Sequence, residues 1–297
     1  MKVLKFGGTS MGSIESLKNV KSIIDSQTSR VVVVVSAMSG VTDTLLNMVH
    51  KAEVQDHSYE LTLQQLYQRH LSVIDGVVPA HNKQACIHII DKFFNEGLPQ
   101  FLGTLYTNKQ LDEAVKTTLE DAIVSHGEIL SSAILTHMLQ DVEGLYAPHF
   151  IKTQDIDGER ILDNSTFDLA KQAVAKCQAT VMVTQGFIAQ DISNNFSTNL
   201  GRGGSDFTAA IIAAAIDAQS LEIWTDVDGF YSADPKKDPN AKLLDKMTYR
   251  QAIEMCEAGA KVIYAPTLSP VALKHIPVWV KNTFNPTARG TLIAHQP

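Results

Sequence analysis

The chain has 297 residues, 44% hydrophobic and 19% charged, and its 25 Lys and Arg stand against 32 Asp and Glu for a net charge of -7. That length and apolar content bury a large core as one domain or two close lobes and exclude a disordered chain, while the diffuse acidic balance excludes the clustered basic footprint of a nucleic-acid surface. Cys86, Cys177 and Cys256 are odd in number and widely spaced, so they read as core thiols rather than a disulfide framework or zinc site, and no membrane span or signal peptide is present, so a cytoplasmic protein is expected.

In chain order, "KVLKF" predicts a first strand, followed by a helix from Ser13 to about Ser26. "RVVVVVSAMSG" predicts a second strand, its five valines buried on both faces as in a parallel sheet. From Val41 to about Gln140 the pattern is helical, with breaks near "DGVVP" and "EGLPQ", and with "SHGE" (Ser125 to Glu128) at a glycine break between helical stretches. The pairs His81/His88 and His126/His137 in this region fit no metal-ligand spacing. Strands return at "LYAPHFI" and "TVMVTQGFIA", then a helix at "FTAAIIAAAIDA", capped by Ser205 or Asp206. After the strand "SLEIWTDV", Thr248 and Gln251 form a capping box for a helix ending near Gly259, and the strand "IPVWVKNT" leads to the turn "NPTARGTLI". Strands alternating with helices, without internal repeat or low-complexity linker, make an α/β protein, in which ligands bind beyond the carboxyl ends of the strands.

Five stretches carry chemistry. "KFGGTS" lacks the GxxxxGK[ST] form, and its lysine precedes the glycines; still, its backbone N–H groups, the hydroxyls of Thr9 and Ser10 and the charge of Lys5 suit an anion. A tight turn with a solvated lysine fits those residues equally. In "NLGRGGSDFTAA", Arg202 stands among Gly201, Gly203 and Gly204 before a helix N-terminus, suited to gripping a carboxylate through two parallel bonds. The plainer reading, a surface arginine and a capping Asp206, is disfavoured by three glycines around one arginine. "WTDVDGFYSADPKKDPNA" can wrap a base or ribose and bring Lys236 or Lys237 near phosphate, although plain turns fit as well; the calcium-loop spacing is incomplete. "SHGE" places Glu128 where it can meet an ammonium group, and "EAGAKVI" sets Lys261 beside a strand-like end; alone, each reads as an ordinary surface charge.

Taken together and in order, "KFGGTS", "SAMSGVTDTL", "SHGE", "TQGFIA", "LGRGGSDFTAA", "WTDVDGFYSADP" and "GAKVI" resemble the aspartate kinase family of the amino acid kinase superfamily, from Lys2 to Ile293. The resemblance implies a three-layer αβα amino acid kinase fold with a central, mainly parallel sheet. It implies one catalytic domain over residues 1–297, about 1–200 forming a substrate-side lobe and about 201–297 a nucleotide-side lobe. The chain ends at the join that precedes a pair of ACT domains in the family; with no ACT domain, it is expected to lack the usual lysine or threonine feedback site.

The implied reaction moves the γ-phosphoryl group of ATP to the side-chain carboxylate of L-aspartate, a first step towards lysine, threonine and methionine, with ATP and Mg2+ as cofactors, no metal ligands from the chain, and a homodimer as one assembly. By the same resemblance Lys5 and Asp206 are catalytic, and Ser36, Thr42, Glu128, Arg202 and Ser205 bind the amino acid. Lys5, Gly7, Gly8, Thr9, Ser10, Thr225, Asp226, Tyr231, Lys236, Lys261 and Val262 bind ATP. Asp206 is assigned to orienting Lys5, a neighbouring donor or metal-bound water, because an ionised carboxylate nucleophile needs no general base. There are departures: Lys236 stands where the family often has Arg, and "GAKVIYAPT" replaces the usual "GAKVLHPRT". Another amino acid kinase, or a regulatory subunit that binds nucleotide without turnover, are the alternatives.

Overall fold

The computed structural model describes residues 1–296 apart from 158, 236 and 261, without the side chains of 265 and 266. The chain opens with β1 (Lys2–Phe6), α1 (Gly8–Met11), α2 (Ile14–Asp25) and β2 (Val31–Val35). A helical stretch follows: α3 (Val41–Glu53), α4 (Ser58–Val77), α5 (Ala80–Lys92), α6 (Leu98–Thr107) and α7 (Glu113–Met138). Next come β3 (Val142–Leu145), β4 (Lys152–Ile156), β5 (Glu159–Leu162), α8 (Ser165–Lys176), β6 (Val181–Gln185), β7 (Ile188–Asp191), β8 (Ser197–Asn199) and α9 (Gly204–Ala215). The last elements are β9 (Ser220–Thr225), β10 (Lys246–Thr248), α10 (Tyr249–Glu257), α11 (Ser269–Leu273), β11 (Val278–Asn282) and β12 (Thr291–Ala294).

Eight strands form one sheet in the order β10-β12-β11-β9-β1-β2-β6-β3, parallel throughout except where β12 runs against β11. The five valines of β2 show why. Because successive side chains alternate across a strand, Val31, Val33 and Val35 enter the core on one face with Leu4 and Phe6, and Val32 and Val34 the core on the other with Val3. Burial of each such side chain is worth about 1.5–3 kcal/mol, so both faces need cover. Helices α2 to α7 cover the first face, and α8, α9, α10 and α11 the second, which makes the expected three-layer αβα arrangement. Cys86 and Cys177 are buried and Cys256 half-buried. Among the described residues no helix is long and apolar enough to cross a membrane.

Several local expectations need correction. "LYAPHFI" is not a strand: only Leu145 ends β3, and Ala147–His149 make a 3-10 turn around Pro148, which has no N–H for a ladder. "TVMVTQGFIA" is two strands: after β6 the chain turns at Gly186 and Phe187 (φ 67) and enters a second, four-stranded sheet, β5-β4-β7-β8, which periodicity did not reveal. Near "EGLPQ" the helix does not break but passes through a π-helical turn, Phe93–Gly97, into α6, where Pro99 stands in the first turn and needs no N–H partner. "SHGE" is no break either. Gly127 lies within the unbroken α7, and a Cβ there would come 2.8 Å from the Ala37 Cβ, so the glycine serves close packing. The cap of α9 is Gly203 (φ 73), not Ser205 or Asp206, which sit in its first turn.

Candidate active site

Lys5 sits in the middle of the sheet, β1 pairing with β2 on one side and β9 on the other. Its Nζ lies 2.7 Å from Asp206 Oδ1, with both side chains 11% exposed. A charge removed from water is tolerated only when paired, and α9 delivers the partner in its first turn. The contact is a charge pairing rather than an aligned hydrogen bond, and two of the three N–H groups of the ammonium are left for another acceptor. Gly7 makes room: a Cβ there would stand 3.4 Å from Lys5 Nζ.

Glu128 lies two-thirds of the way along α7 and is 4% exposed. Its Oε1 accepts the Ala37 backbone N–H at 3.1 Å, while its Oε2 is buried without a partner. Burial pushes the Glu128 carboxyl up to about 8; the Ala37 N–H opposes this, and the Lys5 charge does so less. An orphaned carboxylate oxygen is costly in a folded protein and marks a place for a cation. The Ala37 segment is itself held in place: Ser36 N–H donates to Phe6 O at 3.1 Å, and the Ser131 hydroxyl of α7 donates to Ser36 O at 2.6 Å.

Between β8 and α9 the chain crosses Gly201 (φ 67), Arg202 and Gly203 (φ 73), two left-handed glycines on either side of the arginine. Arg202 is exposed, its guanidinium carbon 5.8 Å from the centroid of the Tyr264 ring, a cation–π distance. Tyr264, one of the departures noted above, also packs on the loop, since a Cβ at Gly203 would lie 2.5 Å from its own Cβ.

These parts meet in one cavity of ≈ 500 Å³, within the size range of small-ligand sites. Of the predicted residues, Lys5, Ser36, Thr42, Glu128, Arg202, Ser205 and Asp206 all line it. So do Phe187 and Asn199, which stand inside stretches already quoted but carry no charge to single them out, and Glu120 and Val124, which precede Glu128 on α7 at a spacing of four and share its face. That spacing was a readable signal. The Ala37 N–H was not, because a backbone donor leaves no mark in a sequence.

Of the predicted nucleotide-side residues Lys5 lines this cavity, while Gly7, Gly8, Thr9, Ser10, Thr225, Asp226, Tyr231 and Val262 lie outside it. Gly7, Gly8, Thr9 and Ser10 form the turn into α1, anchored by Gly7 N–H to Trp224 O at 3.1 Å; Thr9 is exposed. The Ser10 hydroxyl is turned inward, 2.7 Å from Thr283 Oγ1 and within 3.3 Å of Trp224 O. Thr225 ends β9, next to Trp224, and its hydroxyl donates to Asp226 Oδ1 at 3.2 Å. Tyr231 reaches Asp228 Oδ2 at 3.5 Å, and Val262 packs half-buried against the second core. Lys236 and Lys261 lie outside the described residues. Among the described residues, no three His, Cys, Asp or Glu side chains cluster at metal-binding distance.

A family model described as the amino acid kinase family matches residues 1–282. The chain is 34% identical over 304 residues to the bifunctional aspartokinase/homoserine dehydrogenase 1, chloroplastic, of Zea mays, covering 99% of this chain and 32% of that protein. It is 31% identical over 300 residues to lysine-sensitive aspartokinase 3 of Escherichia coli, covering 99% of this chain and 64% of that one. The chain thus spans about a third of the bifunctional relative's length and under two thirds of the E. coli enzyme's. The crystal structure of E. coli aspartokinase III in complex with aspartate and ADP superposes with a TM-score of 0.88 at 29% identity, covering 99% of this chain and 64% of that chain.

Proposed function

Since the chain belongs to the amino acid kinase family, we propose that it transfers the γ-phosphoryl group of ATP to the side-chain carboxylate of L-aspartate, releasing ADP and 4-phospho-L-aspartate. One observation carries this reading: a single cavity is lined by the orphaned carboxylate of Glu128, the arginine Arg202 and the buried ammonium of Lys5. An α-amino acid presents one cation and one anion, which Glu128 and Arg202 would read. Its side-chain carboxylate is then left for the Lys5 end of the site. The likeness to an aspartokinase whose crystal structure holds aspartate and ADP supports the same substrates.

The physical problem in this reaction is repulsion, not proton transfer. A carboxylic acid with a reference pKa near about 4 is already ionised at neutral pH, so no general base is required. One of its oxygens forms a bond to the γ-phosphorus as the bond from that phosphorus to the β,γ-bridging oxygen breaks. Anion attacks anion, and Lys5 offsets the charge, held in aim by Asp206. Ser36, Thr42 and Ser205 would add donors to the amino acid. Gly7, Gly8, Thr9 and Ser10 would cradle phosphate through their turn, the backbone amides serving where the Ser10 hydroxyl faces inward. Thr225, Asp226, Tyr231 and Val262, with Lys236 and Lys261, would hold the rest of the nucleotide.

Mg2+ would be carried mainly by the nucleotide's own phosphates, its preferred mode, with Asp206 as the acidic side chain that would hold its bound water. When bound, it neutralises phosphate charge. A division into lobes near residue 200 would run through the site, since Ser36, Thr42 and Glu128 come before that boundary and Arg202, Ser205 and Asp206 after it.

ADP release from ATP and Mg2+ tests the reading against L-aspartate, L-glutamate, N-acetylglutamate and carbamate. ADP release strictly dependent on L-aspartate is expected. No turnover, or preference for another acceptor, would overturn it.

A further inference from the structure

The glycine loop that carries Arg202 does not set its own shape. Gly201 and Gly203 adopt left-handed conformations with no intrinsic preference to keep them there, so the loop's geometry must be imposed from outside. The structure shows the restraint. Asn199, the last residue of β8, accepts the Gly201 N–H on its Oδ1 at 2.9 Å. Its Nδ2 donates to Asp121 Oδ1 at 2.6 Å, and its backbone carbonyl accepts from Arg160 Nη1 at 3.0 Å. Arg160, from β5, closes the ring by donating through Nη2 to Asp121 Oδ2 at 2.7 Å. Asp121 is 7% exposed, and a buried carboxylate is tolerated because each of its oxygens has a partner.

We propose that Asp121, Arg160 and Asn199 form a clasp that holds the glycine loop where it presents Arg202 to the cavity, which makes Asp121 a positioning residue for the α-carboxylate of the bound amino acid. The proposal rests on the aspartate reading above. Asp121 and Glu128 stand two turns apart on α7, so one rigid helix carries both the residue that would read the ammonium group and the anchor of the loop that would read the carboxylate. The spacing between the two charge readers, and with it the choice of an α-amino acid, is then set by α7 and not by the loop. The small sheet gains a role as well: its edge strand β5 supplies the guanidinium, and β8 the asparagine.

Asp121→Asn keeps the shape and removes the charge; it is expected to raise the KM for L-aspartate about tenfold, as loss of a charged hydrogen bond would, to leave the KM for ATP in place, and to lower the melting temperature, since an asparagine cannot accept from both Arg160 and Asn199. Arg160→Lys keeps the charge but cannot hold Asp121 and the Asn199 carbonyl together, and should fall between wild type and Arg160→Leu. Arg160→Leu should add little further loss in the Asp121→Asn background, because the residues act as one unit. Amide hydrogen exchange over residues 199–204 reads the loop without any substrate and should quicken in Asp121→Asn. If the wild type turns over but the KM values for both substrates rise equally, or exchange in the loop is unchanged, the clasp is overturned. If the wild type does not phosphorylate L-aspartate, the substrate reading falls instead, and the exchange measurement alone decides the clasp.

Discussion

Lys5 Nζ and Asp206 Oδ1 meet at 2.7 Å although they stand far apart in the sequence, one in the central strand β1 and the other in the first turn of α9. The pairing offsets the cost of taking the ammonium charge out of water, and Lys5 lines the cavity. Lys5→Ala is expected to lower kcat by about a hundredfold or more, the cost of losing one preorganised donor to developing charge, with a smaller change in the KM for L-aspartate. Asp206→Asn retains the lysine but not its aim, and should lower kcat by less. Steady-state kinetics on both variants checks this, and a loss confined to KM would remove Lys5 from the transferring phosphoryl group.

Arg202 should behave in the opposite way. Arg202→Ala would remove the proposed charged, two-pronged contact, worth about 1.5–3 kcal/mol, so the KM for L-aspartate should rise about tenfold to a hundredfold while kcat changes little. Arg202→Lys keeps the charge without the fork and should recover part of the loss. Equal losses in kcat for both variants would place the arginine at the phosphoryl group instead.

If Glu128 reads the ammonium group as proposed, aspartate binding should depend on pH. With its carboxyl pushed up to about 8, Glu128 is protonated in the free protein at neutral pH and must ionise to pair with an ammonium group. Binding therefore releases a proton, and affinity should tighten as pH rises from 6 to about 8 and level off above it. Calorimetry in two buffers of different ionisation enthalpy measures the released proton. Glu128→Gln should bind more weakly and lose the pH dependence; an unchanged profile would show that another group titrates.

Two glycines provide a stability contrast. At Gly186 a Cβ would lie 2.5 Å from the Ser205 Cβ and 2.7 Å from its Cα, so Gly186→Ala should destabilise by about 1–3 kcal/mol as α9 is pushed from β6. At Gly103, within α6, a Cβ meets nothing within 4 Å, and Gly103→Ala should stabilise by about 0.5–1 kcal/mol. Thermal unfolding of the two variants should move in opposite directions.

Much of the site was legible because its chemistry sits in short stretches. "KFGGTS", "GRGGSD" and "SHGE" each put an unusual group of residues at one address, and their order along the chain carried the family resemblance. What stayed hidden was how the groups meet. Glycine in "SHGE" read as a break because glycine is a poor helix former, yet in α7 it packs against Ala37. From its local residues Asp206 read as a cap, and only the family resemblance offered Lys5 among its partners; in the structure the two stand 2.7 Å apart.

The amino-acid sequence by itself determined the α/β class, the two-faced burial of the valine strand and the identity of the charged groups, since these follow from periodicity and residue type. Only the tertiary structure decided which charges are buried, which are paired and which are left waiting. It left one oxygen of Glu128 without a partner inside the protein, took the Ser10 hydroxyl inward, and tied Asp121 to Arg160 and Asn199. Desolvation and pairing depend on elements distant in sequence, brought together by a sheet whose strand order departs from chain order, and no local pattern records that approach.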